Sequence, residues 1–547
     1  MSTLSQAAGP TAPPLIEQTI DRNFREAVAA HGGREALIVR HQDIRWTYDE
    51  LDARVDEVAR ALVAKGFVKG DRIGIWAPNC AEWVLVQYAT ARVGVILVNI
   101  NPAYRTHEVR YALDQSGCKG LIASPSFKTS DYVAMVDEVR ESLPGLEQVY
   151  FLRTDDWTDL LAAAEGVTGE QVAEIEAGLD ADEAINIQYT SGTTGYPKGA
   201  TLSHRNILNN GFFVGAGCRY TPDDRVCVPV PFYHCFGMVM GNLGATSHGA
   251  AIVVPAEAFD PVATLEAVAD ERCTSLYGVP TMFIAMLALG DFESYDLGAL
   301  RTGIMAGSPC PVEVMKQCIE RMNMDEVTIC YGMTETSPVS TQTATDDPID
   351  KRVGSVGRVH PHVEIKIVDP DTGETVERGR PGEFCTRGYS VMIGYWNDPE
   401  RTAEAIDTDG WMHTGDLAEM DVDGYVNIVG RSKDMIIRGG ENVYPREIEE
   451  FLYGHPRILD VQVVGVPDVK YGEEIMAWIQ TEDGSDITLD EVKEYCQGKI
   501  AHYKVPRYVA TTDEFPMTVT GKIQKFKLRD DAIERYNLED AAGVETA

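Results

Sequence analysis

Tyr189-Thr190-Ser191-Gly192-Thr193-Thr194-Gly195-Tyr196-Pro197-Lys198-Gly199 is the stretch on which the reading of this chain turns. Three glycines, four serine or threonine hydroxyls and one lysine share eleven positions, directly after the short run Ile185 to Ile187. Glycine lets a backbone approach a ligand closely. Consecutive backbone N–H groups in such a loop make a concave nest for anions. The hydroxyls add donors and Lys198 adds a point charge, so the chemistry is that of a phosphate cradle. A Walker A loop needs Gly-Lys-Ser/Thr, and here Lys198 is followed by Gly199 and Ala200. Gly/Ser/Thr clusters also build plain surface loops, so the rest of the chain has to decide.

Working outward on the N-terminal side, helix and strand signals alternate. Thr47 and Glu50 have the capping-box spacing, followed by Leu51, Val55, Val58, Ala59 and Leu62 at helical intervals. Asp71 to Trp76 reads as a strand, Cys80 to Val93 as a helix, Val95 to Val98 as a strand, Thr106 to Ser116 as a helix and Gly120 to Ala123 as a strand. This alternation implies parallel sheet with crossover helices, an α/β fold. On the C-terminal side Leu202 to Phe213 reads as a helix, with His204 as a surface residue near its start. Two further segments, 275 to 284 and 301 to 311, each read as strand, Gly/Pro turn, helix. Ligands favour the carboxyl ends of such strands.

Composition sets the bounds. A chain of 547 residues is too long for one core. The net charge of −37 argues against nucleic-acid or anionic-membrane binding, and any anionic substrate would need positive charge concentrated locally. The eleven cysteines contain no C-x-x-C pair, which points to buried free thiols in a reducing compartment. Met1 to Pro14 has neither the basic start nor the apolar core of a signal peptide. No run reaches the roughly 20 apolar residues of a membrane span. The expected location is cytoplasmic.

A second motif, Tyr331-Gly332-Met333-Thr334-Glu335-Thr336-Ser337-Pro338, follows the run Val327 to Cys330. From about 353 the character changes to short alternating runs and Gly turns, read as antiparallel β-structure. This region contains Thr414-Gly415-Asp416 and Gly430-Arg431-Ser432-Lys433-Asp434. A short α+β unit closes the chain, with Gly439-Gly440 near its start and Thr520-Gly521-Lys522-Ile523 near its end.

Four motifs in this order resemble the adenylate-forming superfamily over about residues 20 to 530, most of all its medium-chain fatty acyl-CoA ligases. The stretch 1–15 reads as disordered, and the resemblance implies a large AMP-binding domain 16–433 whose part from about 353 to 433 is β-rich, and a small mobile α+β lid 434–547. It implies ATP, Mg²⁺ and CoA as reactants. A carboxylate attacks the α-phosphate of ATP, and CoA thiol then displaces AMP. The absence of a G-x-S-x-G elbow fits a reaction without an enzyme nucleophile.

By the same resemblance Thr190, Ser191, Gly192, Thr193, Thr194, Gly195 and Lys198 would hold phosphates. Glu335 would ligate Mg²⁺, a hard ion suited to carboxylate oxygen, with Thr334 near the α-phosphate. Gly307, Ser308 and Pro309, with Tyr331, would flank adenine, Gly332 would belong to the nucleotide site, Asp416 would take the ribose hydroxyls, and Arg431 would add a ribose or phosphate contact. Lys522 would be the catalytic lysine, with Lys525 and Lys527 adding positive charge. Asp434 would be the hinge, Gly439 and Gly440 the CoA channel, and Lys504 and Arg507 contacts for CoA phosphates. Arg438 has no role assigned by the resemblance.

The acid pocket is read from Phe232 to Ala245. Gly237, Gly241, Gly244 and Ala245 fall on one helix face, expected either to pack tightly or to leave a groove for an acyl chain, with Phe232, Tyr233, His234 and Phe236 at its mouth. No Asp lies between Phe232 and Val254, which argues for an acid without an amine. Other readings stay open: an aryl-acid CoA ligase, an acyl-AMP ligase serving a carrier protein, or a non-catalytic binder. A homodimer is left open too.

Overall fold

The computed structural model describes residues 3–190, 197–308, 310–431, 434–438, 441–468, 470–481, 483–497, 499–500, 502–518 and 522–538, with the side chains of Arg431, Glu441 and Asn442 left aside. Two large sheets dominate. In the first, Ala184–Thr190, Ile96–Asn99, Arg72–Trp76, Gly120–Ala123 and Gln148–Phe151 run parallel in that spatial order. An antiparallel return strand, Lys198–Ser203, lies on the other side of Ala184–Thr190, and Gly394–Tyr395 pairs with it. In the second sheet Ser275–Gly278, Thr302–Ala306 and Glu326–Gly332 are parallel neighbours in register. Their carboxyl ends, near Gly278, Ala306 and Gly332, therefore open on one edge, where α/β sheets put ligands.

The helix Ala81–Val93 is buried at every position. A helix apolar on all sides has to lie inside the protein. Here Trp83 tilts against Phe232 with ring centroids 5.7 Å apart. Gln87 donates to the Met238 carbonyl (3.1 Å). Its basic residue, Arg92, is held by Asp21 (2.7 Å) and Asp52 (2.5 Å). A buried charge needs such partners.

The β-rich part is an antiparallel sheet in the order Gln6–Ala8, Val363–Val368, Gly382–Gly388, Met412–Met420, Val426–Arg431. Its first strand corrects the expectation of a disordered N-terminus. Gln6 pairs with Lys366 and Ala8 with Glu364. Ile16 N–H donates to Asn209 (2.7 Å). An edge strand gains its order from backbone bonds to a partner, which its own polar, Pro-rich sequence does not reveal. A second correction concerns Leu202. The return strand runs through Ser203, whose reciprocal capping with Asn206 starts the helix His204–Gly217 two residues later than the sequence suggests.

The C-terminal unit has its own sheet. Ile458–Asp468 and Gly472–Thr481 form its long hairpin, and Tyr508–Thr511 lies parallel to Gly472–Thr481. Its cores, around Ile436, Val461 and Ile475 and around Val466, Met476 and Leu528, are separate from that of the large body. Among the described residues no helix is long and apolar enough to cross a membrane.

Candidate active site

Thr190 ends its strand directly opposite Lys198, which begins the return strand. Ser191, Gly192, Thr193, Thr194 and Gly195 lie outside the described residues. The two ends of the loop meet the second motif. Thr190 Oγ1 donates to Glu335 Oε1 (3.4 Å). Tyr395 donates its phenol to the same oxygen (2.9 Å), and Lys198 Nζ sits 4.7 Å from the Tyr395 ring centroid. Burial and the adjoining carboxylate raise the Tyr395 phenol, so it stays a donor. Glu335 is itself buried, in the short turn Thr334–Thr336. Both of these bonds fall on Oε1.

Tyr331 donates to Asp416 Oδ2 (2.7 Å) and meets Phe384 edge-on at 5.0 Å. Asp416 N–H is held by Thr414 Oγ1 (3.2 Å), and Asp416 pairs across the strands with Arg431. At Gly332 a methyl group would overlap the Pro338 carbonyl oxygen. Gly307 has φ +92°, a left-handed conformation that suits glycine. Pro309 lies outside the described residues, next to Ser308.

Lys522 arrives from the C-terminal unit. Its N–H is bonded to Thr518 Oγ1 (3.1 Å) and its carbonyl accepts from Thr518 N–H (2.7 Å). A methyl group placed on Gly307 would lie 3.8 Å from Lys522 Cε. The Lys522 charge also reaches His234. Burial and that neighbouring cation depress His234 to about 3, and the neutral ring accepts from Phe236 N–H on Nδ1 (3.1 Å). The unit is docked by Glu450, which accepts from Val312 N–H (3.4 Å), and by Arg446, which donates to the Ile428 carbonyl (2.7 Å).

Other expected residues stand apart. Lys504 is paired with Glu447, and Arg507 is exposed. Asp434 is an exposed turn residue. Gly439 and Gly440 lie outside the described residues. Lys525 is engaged by Glu449 (2.6 Å) and the Val463 carbonyl (3.1 Å), so it does not lend its charge to the site as expected. Arg438 makes a two-pronged pair with buried Glu474, 2.7 Å on each arm, and this ties its strand to Gly472–Thr481. His204, read as a surface residue, is buried. It accepts from Ile20 N–H (3.2 Å), and desolvation depresses it to about 3.

The small-residue face is corrected as a groove. Phe236–Leu243 is a π-helix, a wide turn often found at functional sites. Its Gly237 abuts the Pro231 carbonyl, and methyl groups on Gly241 and Gly244 would come 2.8 Å from Val228 and 3.2 Å from the Gly211 carbonyl oxygen. Phe232 and Phe236 are buried, Phe236 stacking on Tyr277 at 5.5 Å. Close packing, not an open channel, explains these glycines. Gly241→Leu should therefore lower the melting temperature, at about 1–3 kcal/mol of overpacking, without changing which chain length is preferred. A shortened acid profile at unchanged melting temperature would contradict this.

Sequence reading missed Tyr395 and Gln188. Gln188 accepts from the Cys235 thiol (3.2 Å) and donates to Asn186 (2.8 Å). Tyr395 sits in a two-residue strand with no periodic signal of its own. Gln188 shows only as one of several polar residues inside a buried strand.

Thr190 and Lys198 beside Glu335, Tyr331 on Asp416, and a lysine brought in from a separate C-terminal unit are the arrangement of an adenylating enzyme. The chain belongs to the AMP-binding enzyme family, whose profile matches residues 24–396, with the family's C-terminal domain matching 447–522. It is 50% identical over 546 residues to the Bacillus subtilis (strain 168) protein YngI, covering 96% of this chain and 99% of that one. It is 44% identical to the mitochondrial medium-chain acyl-CoA ligase ACSF2 of Bos taurus, covering 96% and 89%. The crystal structure of ATP-bound MatB from Rhodopseudomonas palustris superposes with a TM-score of 0.85 at 31% identity, covering 95% and 100%.

Proposed function

We propose that this protein is an AMP-forming fatty acyl-CoA ligase with a preference for medium-chain acids, joining a carboxylate to CoA through an acyl-adenylate. One observation carries the reading: Lys522 is brought over Gly307 and beside His234 from a unit with its own core. Lys522 is the group that would offset charge as the carboxylate approaches the α-phosphate, and preorganised charge of this kind contributes strongly to catalysis. The loop 190–199 and Lys198 would hold the β- and γ-phosphates. Tyr331 and the Gly307–Pro309 turn would flank adenine, and Asp416, oriented by Tyr331, would accept from the ribose hydroxyls. Arg431 would add a contact there, and Thr334 would lie near the α-phosphate.

Glu335 suits Mg²⁺. It is a buried carboxylate with Oε1 steadied by Tyr395 and Thr190, and no described bond occupies Oε2. Such hard ions take one or two carboxylates plus phosphate oxygens. Bound there, the ion would neutralise phosphate charge.

In this arrangement Lys504 is engaged by Glu447, as fits the first half-reaction. Rotation about Asp434 would then withdraw Lys522 and bring round Gly439, Gly440, Lys504 and Arg507 for CoA. The name of the bovine relative supports the medium-chain assignment. The test is AMP release from ATP and Mg²⁺, with and without CoA, over straight-chain acids of increasing length and a few aryl acids. CoA-dependent turnover peaking at medium chain is the expected result. A peak on aryl acids, or adenylate formation indifferent to CoA, would overturn it.

A further inference from the structure

We propose that Glu383, Cys385 and His413 form a binding site for one zinc-class divalent cation on the face of the antiparallel sheet that carries Asp416. Cys385 and His413 are direct partners across neighbouring strands. Glu383 lies two residues before Cys385, and one ligand atom from each of the three falls within 4.8 Å of the others. Thiolate, imidazole and carboxylate together form a borderline donor set that suits zinc.

The distances are close to what that ion needs. Cys385 Sγ and His413 Nδ1 are 3.5 Å apart. Tetrahedral zinc with bonds of about 2.3 Å to sulfur and about 2.0 Å to nitrogen sets them about 3.5 Å apart. His413 Nδ1 and Glu383 Oε2 are 2.8 Å apart, a hydrogen bond. The ion would replace its proton and open the pair by about half an ångström. His413 Nε2 faces Asp407 Oδ2 at 3.7 Å, the carboxylate that a metal-bound histidine usually has behind it.

The protons balance. That of His413 moves from Nδ1 to Nε2, facing Asp407. The Cys385 proton goes to solvent, giving one proton released per ion bound. Burial holds the free thiol up at about 12, but a coordinating thiol deprotonates outright. Lys366, opposite Cys385 on the other neighbouring strand, is the facing cation, drawn over the Trp411 ring at 4.5 Å. Glu383, Asp407 and the thiolate outweigh it. The His413 and Glu383 side chains are 32% and 20% exposed, so an ion can enter and keep a water as its fourth ligand.

The site touches the nucleotide-facing turn. Glu383 Oε1 accepts from Gly415 N–H at 3.0 Å, one residue before Asp416. Glu383 can hold the ion with Oε2 and that turn with Oε1.

The test uses the full-length protein equilibrated with ZnCl₂, freed of excess metal by gel filtration and assayed for metal. One zinc per chain is expected, with affinity falling at least tenfold in Cys385→Ser and in His413→Gln. Co²⁺ in place of zinc should give a near-ultraviolet thiolate charge-transfer band that Cys385→Ser removes. Zinc well below one per chain, retention of binding in Cys385→Ser, or Co²⁺ binding without that band would each overturn the proposal. If the variants do not fold, the Co²⁺ spectrum and proton release of the unaltered protein decide it.

Discussion

Lys522→Ala is expected to slow acyl-adenylate formation by about 10²- to 10³-fold, while thioester formation from supplied acyl-adenylate and CoA stays near the parent rate. The magnitude is that of losing one preorganised charge or donor at a reacting centre, about 3 to 4 kcal/mol of barrier. The asymmetry between the half-reactions follows from geometry. Lys522 is bonded to Thr518 and reaches Gly307 and His234, where acid and α-phosphate would meet. The second step needs no charge at that point. Single-turnover measurement of pyrophosphate release, beside CoA-dependent AMP release from the supplied intermediate, separates the two. Equal losses in both steps would remove Lys522 from the role given it here.

The second large effect is on acid stability. His204 and His360 are buried and His234 is half-buried, and desolvation depresses each to about 3. Two of them, His204 and His234, accept from backbone N–H groups. His360 bonds to Gln342 through Nε2 (2.8 Å), and its Nδ1 is buried without a partner among the described residues. In the unfolded chain each would titrate at about 6.5. Their contribution to stability is therefore whole above that value and is lost as pH falls toward 3. The slope is about 1.4 kcal/mol per pH unit per histidine, or about 4 for the three. Asp460 works the other way. Burial raises it to about 6, so it gives back some stability between pH 6 and 4. The net expectation is a steep fall in the urea midpoint from pH 6.5 to 5. His360→Gln should flatten that fall by about one histidine's share. Identical slopes in the parent and His360→Gln would contradict the assignment.

Local signals were readable where the chain carries its own punctuation. The helix Thr106–Ser116 and the strand Gly120–Ala123 have the ends that their sequence predicts, because a Gly and an apolar run bound them. The helix after the phosphate loop starts two residues later than expected, since the return strand runs on through Leu202 and Ser203, and Ser203 then caps the helix. Motif order was enough to recognise the α/β family. The contacts that orient the site were not legible. The Tyr395 bond to Glu335 spans 60 residues and the Tyr331 bond to Asp416 spans 85. No local pattern encodes either. The glycines of Phe236–Leu243 were ambiguous for a related reason. The same absence of side chains permits a channel or a neighbour's close approach, and only the positions of Val228, Pro231 and Gly211 decide between them.

The first strand of the chain has a temporal consequence. Gln6–Ala8 finds its partner about 360 residues later, at Glu364–Lys366. During synthesis it leaves the ribosome early and has nothing to pair with until most of the protein has been made. Contacts this distant in sequence form slowly, because chain closure is entropically costly before any bond rewards it. The sheet holding Asp416 is thus sealed at its edge late in assembly. Until then, the rim at Val363–Val368 is where a half-made molecule is open to pairing with its neighbours.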